Sequence, residues 1–211
     1  MGLSNKRPAL LALTAGSMML SIGTAQAELT ANAAITSNYI FHGVTQSDSG
    51  PALQGGLDYG HDSGLYLGTW ASTVDKGDET GLEVDFYGGV SRDIGDFSYN
   101  VGVVTYQFTN SAHGSAEEVY FGGSFNMLHA TYVFGDGYDY AELVVDTQFS
   151  GYSLNVRLGN TMNDDASDVV DYGISVGREL EMFDVRAGVA STNADNSDTE
   201  FFISLSKGFD L

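Results

Sequence analysis

The stretch Leu82-Glu83-Val84-Asp85-Phe86-Tyr87-Gly88-Gly89-Val90-Ser91-Arg92 decides the fold. Leu82, Val84, Phe86, Gly88 and Val90 alternate with Glu83, Asp85, Tyr87, Gly89 and Ser91. Successive side chains of an extended strand point to opposite sides, so a period of two becomes one apolar and one polar face. The same alternation sets Val119, Phe121, Gly123 and Phe125 against Glu118, Tyr120, Gly122 and Ser124. It sets Ala141, Leu143, Val145, Thr147 and Phe149 against Tyr140, Glu142, Val144, Asp146 and Gln148. Val170, Tyr172, Ile174 and Val176 oppose Asp171, Gly173, Ser175 and Gly177 in the same way.

Carried along the chain, the pattern predicts strands over 30–46, 51–61, 64–74, 81–92, 96–108, 116–126, 128–135, 138–149, 151–160, 169–180, 183–192 and 199–209. The connections alternate in character. Ser47 to Gly50, Asp75 to Thr80, Thr109 to Ser115, Thr161 to Asp168 and Asn193 to Asp198 are longer and polar, with Asp136-Gly137 a short exception. Asp62-Ser63, Asp93 to Gly95, Met127, Ser150 and Glu181-Met182 are tight turns. An even strand number, long loops at one end and tight turns at the other are the layout of a transmembrane antiparallel up-and-down β-barrel. A soluble sandwich also alternates apolar and polar positions. Aromatic residues near strand ends (Tyr39, Phe41, Tyr59, Tyr66, Trp70, Phe97, Tyr138, Tyr152, Phe183, Phe209) favour the barrel, as interfacial girdles. The fold expected is therefore all-β, a barrel of about 12 strands forming one domain over 28–211.

Residues 1–27 read as an export signal. Lys6 and Arg7 precede an apolar run from Ala9 to Ile22, and Ala25-Gln26-Ala27 offers a small-residue cleavage site. Cleavage after Ala27 is expected. The whole chain of 211 residues has 8 Lys plus Arg against 28 Asp plus Glu, a net charge of −20. Loss of Lys6 and Arg7 with the leader takes it to −22. Such a chain lacks the clustered cations that grip a phosphate backbone, so nucleic acid is not an expected partner. With no Cys there is no disulfide scaffold, thiolate metal site or cysteine nucleophile. No window after residue 30 holds the run of about 20 apolar residues that a membrane-spanning helix needs.

Strand parity selects the residues expected to line the bore: Asn38, His42, Gln54, Asp58, Glu83, Asp85, Glu118, Glu142, Asp146, Asp171 and Glu179, with Arg157 and Arg186 as basic counterparts. Carboxylates in a narrow bore concentrate cations, so an open channel is expected to prefer them. The alternative is that these carboxylates pair with Arg157, Arg186 or tyrosine hydroxyls and fill a closed bore. Acidic loop residues form a second cluster: Asp75, Asp78 and Glu79; Asp164, Asp165 and Asp168; Asp195 and Asp198. They match no calcium-loop spacing and read as a solvated rim, so neither a metal nor a cofactor is expected.

The first strands carry a resemblance. Asn38 to Ser47 (NYIFHGVTQS), Gly50 to Tyr59 (GPALQGGLDY), Gly64 to Ser72 (GLYLGTWAS) and Glu83 to Gly89 (EVDFYGG) resemble the TorF-type porin family, proteobacterial exported proteins of previously unknown function. The likeness is dense over 38–108. It implies an outer-membrane barrel without an assigned substrate. Two departures are visible: His42 stands where the family is expected to carry an Arg, and the chain ends Gly208-Phe209-Asp210-Leu211 instead of on an aromatic. The outer-membrane insertion machinery would then read Phe209.

Catalysis is not expected. A hydrolase needs a nucleophile, a base and an orienting group within reach of one another. The histidines are His42, His61, His113 and His129, and only His129 has a conceivable partner on an adjacent strand, Ser124. The sequence thus points to a bacterial outer-membrane porin-like channel, through which small hydrophilic solutes diffuse passively with cations preferred. Outer-membrane lipid and lipopolysaccharide would surround it. A lipid hydrolase or a structural surface barrel with a closed bore are the alternatives.

Overall fold

The computed structural model describes residues 28–75, 77, 79–109 and 114–211. The expected signal peptide, Asp78 and His113 lie outside the described residues. Twelve long strands form the wall: β1 (Glu28–Thr36), β4 (Ala52–Gly60), β5 (Leu65–Asp75), β6 (Thr80–Ile94), β7 (Phe97–Phe108), β8 (Ala116–Phe125), β9 (Leu128–Phe134), β10 (Tyr138–Phe149), β11 (Tyr152–Asn163), β12 (Val169–Leu180), β13 (Phe183–Thr192) and β14 (Glu200–Asp210). Two short strands, β2 (Ile40–Phe41) and β3 (Val44–Thr45), form a separate hairpin.

Each wall strand pairs antiparallel with its neighbours, and β1 closes the barrel by pairing with both β14 and β4. Closure leaves no strand edge, the condition for a sheet to sit in lipid. The side-chain alternation follows expectation: Leu53, Leu67, Phe86, Val103, Leu143, Leu158 and Ile203 point outward and are exposed. Their parity partners point inward, among them Asp58, Glu83, Asp85, Glu142 and Asp171, all buried.

Two expectations are corrected. The first strand, expected over 30–46, is a strand only to Thr36. Alternation fails beyond it, because the adjacent residues Tyr39 and Ile40 are both buried. The chain leaves the wall at Ser37 and folds inward as the β2–β3 hairpin. Phe41 pairs with Val44 across His42-Gly43, both at positive φ (46° and 78°), the two-residue turn whose twist matches a hairpin. His tolerates that conformation better than most side chains, and Gly takes it freely.

The second correction concerns the aromatics. Tyr39 is 3% exposed and Tyr66 4%, and both lie inside the barrel in the interior clusters, as do Phe41, Trp70 and Tyr138. Parity overrides position along the strand: Tyr66 and Trp70 share the inward face with Ser72 and Val74. The outward aromatics include Phe97, Tyr152, Phe183 and Phe209.

An outward apolar face has a measurable cost when charged. Leu143→Arg, between Ala130 and Leu158 on the outer surface, is expected to destabilise the protein in lipid vesicles by about 2–4 kcal/mol. Urea unfolding from vesicles reads this, and a loss well under 1 kcal/mol would mean that this face does not meet hydrocarbon.

Candidate functional site

The lumen is built from tyrosines, carboxylates and two arginines, and its two halves differ. Across β5 to β10 it is packed. Tyr66 Oη lies 2.6 Å from Tyr120 Oη and donates to Asn100 Oδ1 at 2.6 Å. Tyr106 donates to Glu118 Oε2 at 2.8 Å, and Tyr138 donates to the other oxygen of that carboxylate. Tyr87 donates to Asp58. Glycines make room for these rings: a Cβ on Gly68 would overlap Tyr87, one on Gly102 would overlap Tyr120, and one on Gly159 would overlap Tyr140. Inward glycine and tyrosine on neighbouring strands thus act as complementary pairs.

The arginines hold the second group of carboxylates. Arg157 Nη2 sits 3.0 Å from Asp171 Oδ1, and Arg157 Nη1 sits 3.5 Å from Glu142 Oε2. Tyr140 Oη lies 3.4 Å from Glu142 and 3.5 Å from Asp171. Arg186 donates to Ser175 Oγ at 2.9 Å and Ser153 Oγ at 3.0 Å, and Asn155 Nδ2 donates to Asp146 at 3.2 Å. Glu83, Asp85 and Glu118 have no Lys or Arg partner among the described residues.

The inward hairpin fills the mouth at the long-loop end. Tyr39 packs edge-on against Trp70 at 5.5 Å, and Phe41 against Tyr106 at 6.3 Å. His42 is sandwiched between Phe41 (3.9 Å) and Tyr140 (3.6 Å), both rings stacked. Asn38 Nδ2 donates to Glu200 Oε2 at 2.7 Å, and Asn38 Oδ1 accepts from Thr45 Oγ1 at 2.7 Å. The backbone N–H of Asp75 donates to the Gln46 carbonyl at 2.8 Å, tying the hairpin to β5. Gly43 presses on β12 and β13, where a Cβ would come within 2.7–3.0 Å of Thr192, the Ser191 carbonyl and Asp171.

Opposite the packed half a small chamber of about 50 Å³ remains between the hairpin and the wall strands β4, β1 and β11–β14. Asn38, Gln54, Asn155, Arg157, Phe202 and Ser204 are among its lining residues.

The expected bore residues therefore divide. Gln54 and Arg157 border the chamber, Asn38 belongs to the hairpin that bounds it, and His42 is the hairpin's tip instead of a residue of a wall strand. Asp58, Glu83, Asp85 and Glu118 sit in the packed half. Glu142 and Asp171 back Arg157, while Asp146 meets Asn155. Glu179 is exposed near the short-turn end, opposite Asp184. The sequence did not place Tyr39, Tyr66, Tyr87, Tyr106, Tyr120, Tyr138, Tyr140, Phe202 or Glu200 among the bore residues, though strand parity assigns the side of those in the wall strands. Ser124 faces His129 in the register, but its hydroxyl bonds Ser98.

The architecture is that of a porin-type barrel: closed, antiparallel, twelve-stranded, apolar outside and polar within. The chain belongs to the Gcw_chp family, a bacterial protein family of unknown function, whose model matches residues 21–209. A KdgM porin aligns with a TM-score of 0.65 at 10% identity, over 85% of this chain and 99% of the porin. The KdgM porin in complex with disordered oligogalacturonate gives 0.64 at 9% identity, over 86% and 99%. The outer membrane protein OpdK of Pseudomonas aeruginosa gives 0.42 at 16% identity, over 78% of this chain and 58% of its own. No curated protein matches the chain.

Two outcomes follow from this geometry. Arg157 is 9% exposed and Asp171 1%; Arg157→Met removes the counter-charge of two buried carboxylates and is expected to cost about 3–5 kcal/mol, part of which Asp171→Asn in the same chain restores. Equal thermal melting of Arg157→Met and the parent would contradict the pairing.

His42, in the hairpin and outside the wall strands, has its imidazole pushed down to about 3 by burial and then by the nearby Arg157 charge. Docking thus favours the neutral ring. The hairpin holds in full above about pH 6.5, the value of a free imidazole, and weakens as pH falls toward the docked value. NMR of the folded protein is expected to show no His42 titration between about pH 8 and 5, with normal titration in Gly43→Val, where the hairpin cannot dock. A parent ring titrating near 6.5 would place it in open water.

Proposed function

We propose that this protein is an outer-membrane channel through which small hydrophilic solutes diffuse passively, with cations preferred over anions. The observation that carries the reading is the closed twelve-stranded wall around an interior of polar side chains. In that interior carboxylates outnumber arginines, and a small chamber of about 50 Å³ remains beside the packed half. A pore's lining charge and the hydrogen-bonding groups along it set what passes, and uncompensated carboxylates raise the local cation concentration. Glu83, Asp85 and Glu118 are the interior carboxylates without a Lys or Arg partner among the described residues. The same charge disfavours acidic solutes, which separates this lumen from a porin seen with oligogalacturonate.

The resemblance to TorF-type porins points the same way, as does the likeness in fold to the KdgM porin. Lipid and lipopolysaccharide would contact the outward face, and β14, with Phe209 outward, would present the signal for the insertion machinery. Cleavage after Ala27 would produce the mature barrel.

A closed structural barrel is the second reading, favoured by the tyrosine–carboxylate packing and the docked hairpin. Planar-bilayer recording separates the two. Refolded residues 28–211 in a KCl gradient are expected to give stepwise currents with a cation-selective reversal potential. Glu83→Gln/Asp85→Asn is expected to shift that potential toward zero, and Gly43→Val to raise conductance by releasing the hairpin. Silence from protein shown to be inserted would favour the closed barrel.

A further inference from the structure

Charge on the outer face of the barrel is sorted by end. Among the described residues, strand parity turns six charged side chains of the wall outward. Asp75, Glu117 and Asp139 stand at or beside the long-loop ends of β5, β8 and β10, and Arg92, Arg178 and Lys207 stand near the short-turn ends of β6, β12 and β14. Every outward acid is thus at one end and every outward base at the other. A cation facing lipid is costly at the midplane and nearly free at the interface, where a long side chain carries its charge to the headgroups. None of the three bases forms an ion pair among the described residues. Two of them rest on rings instead. The Lys207 ammonium lies 5.7 Å from the centre of Phe183 and 5.2 Å from that of Phe209. The Arg178 guanidinium lies 5.0 Å from the centre of Tyr152 and donates to its Oη at 3.0 Å. The carboxylates nearest along the chain do not offset them: Glu179, Asp184 and Asp210 have inward parity, and Glu181 sits in the turn.

The strands β12, β13 and β14 are consecutive in the wall, so Arg178 and Lys207 stand two strand spacings apart, about 10 Å. Phe183, on the strand between them, is exposed. Toward the middle of the barrel the same outer surface is aliphatic, with Ile174, Val176, Ile203 and Leu205 all exposed. This surface has three tiers: cations without a carboxylate partner at its edge, aromatic rings at the level of an interface, and branched aliphatic side chains beyond. A phosphodiester carried on acyl chains matches it tier by tier. The phosphate accepts from the guanidinium and neutralises the ammonium, while the chains lie on the aliphatic side chains. A zwitterionic lipid carries the same phosphate, but its own ammonium repels Arg178 and Lys207. Tight turns of such barrels face the periplasm, so the leaflet meeting this rim is the glycerophospholipid one, and lipopolysaccharide phosphates lie at the acidic end. We propose that the outer rim of β12 to β14 at the short-turn end binds the headgroup of an anionic glycerophospholipid. The inference rests on the barrel lying in a membrane, and it holds whether or not the bore conducts.

The test is native mass spectrometry of refolded residues 28–211, released from a neutral detergent holding equal amounts of phosphatidylglycerol and phosphatidylcholine with the same acyl chains. Phosphatidylglycerol is expected to be retained about fivefold more than phosphatidylcholine, and Arg178→Gln/Lys207→Gln is expected to bring the two close to parity. Arg178→Lys/Lys207→Arg, which keeps both charges, retains the preference. So does Lys76→Gln, which removes a cation from the sequence between β5 and β6. The parental preference is also expected to shrink as ammonium acetate rises from about 50 to about 500 mM, because the contact is exposed to salt. Equal retention of the two lipids by the parent overturns the inference, and so does a preference that survives in the glutamine pair. If the glutamine pair does not refold, the salt series decides, and a preference indifferent to salt refutes the ionic site. Stronger retention of lipid A than of phosphatidylglycerol, with the same dependence on Arg178 and Lys207, overturns the choice of lipid. Silence in bilayer recordings removes the channel and leaves this outcome standing.

Discussion

Backbone hydrogen bonding is the constraint on which the rest of this structure depends. A sheet surrounded by hydrocarbon cannot leave an edge, since each unpaired N–H or C=O there costs several kcal/mol. β1 resolves this by pairing β14 on one side over Thr30 to Thr36 and β4 on the other over Glu28 to Thr36. Its residues beyond Thr36 are released from the wall at the point where both pairings end. The hairpin is consequently free to turn inward, and its own strands satisfy each other through Ile40 with Thr45 and Phe41 with Val44.

Closure fixes a circumference, and the interior is then a matter of volume. The chain fills half of it with rings laid over glycines and leaves the other half lined by small and polar residues. The packed half is unlike an ordinary apolar core, because most of its tyrosines end on a carboxylate or another hydroxyl. Buried polar groups of this kind are costly when unpaired and directional when satisfied, so the network holds the rings in defined positions where greasy packing alone would not. Arg157 binds the two halves together, with its charge anchored to Asp171 and Glu142 and its edge facing the chamber.

Most of the wall was legible in the sequence, because alternation is a local property. Leu82 to Ser91 states which side each residue faces before any partner is known, and the register agrees. The inward hairpin was not legible in the same way. Its residues Asn38 to Gln46 are as rich in aromatic and β-branched side chains as a strand, and nothing local distinguishes a strand in the wall from one folded across the bore. Tyr66, Trp70 and Tyr138 were placed by proximity to strand ends, a signal that competes with parity and loses to it when the lumen itself needs large rings. The chamber was out of reach, since it depends on Gly188, Phe202 and Asn155 meeting from three strands.

The hairpin enters and leaves the wall between two strands that already pair directly along their lengths. Its length and composition can therefore change without altering the β1–β4 or β1–β14 ladders. The determinants of bore calibre and of barrel integrity occupy separate segments of the chain. The segment between Ser37 and Pro51 is therefore where a pore of chosen width would be engineered.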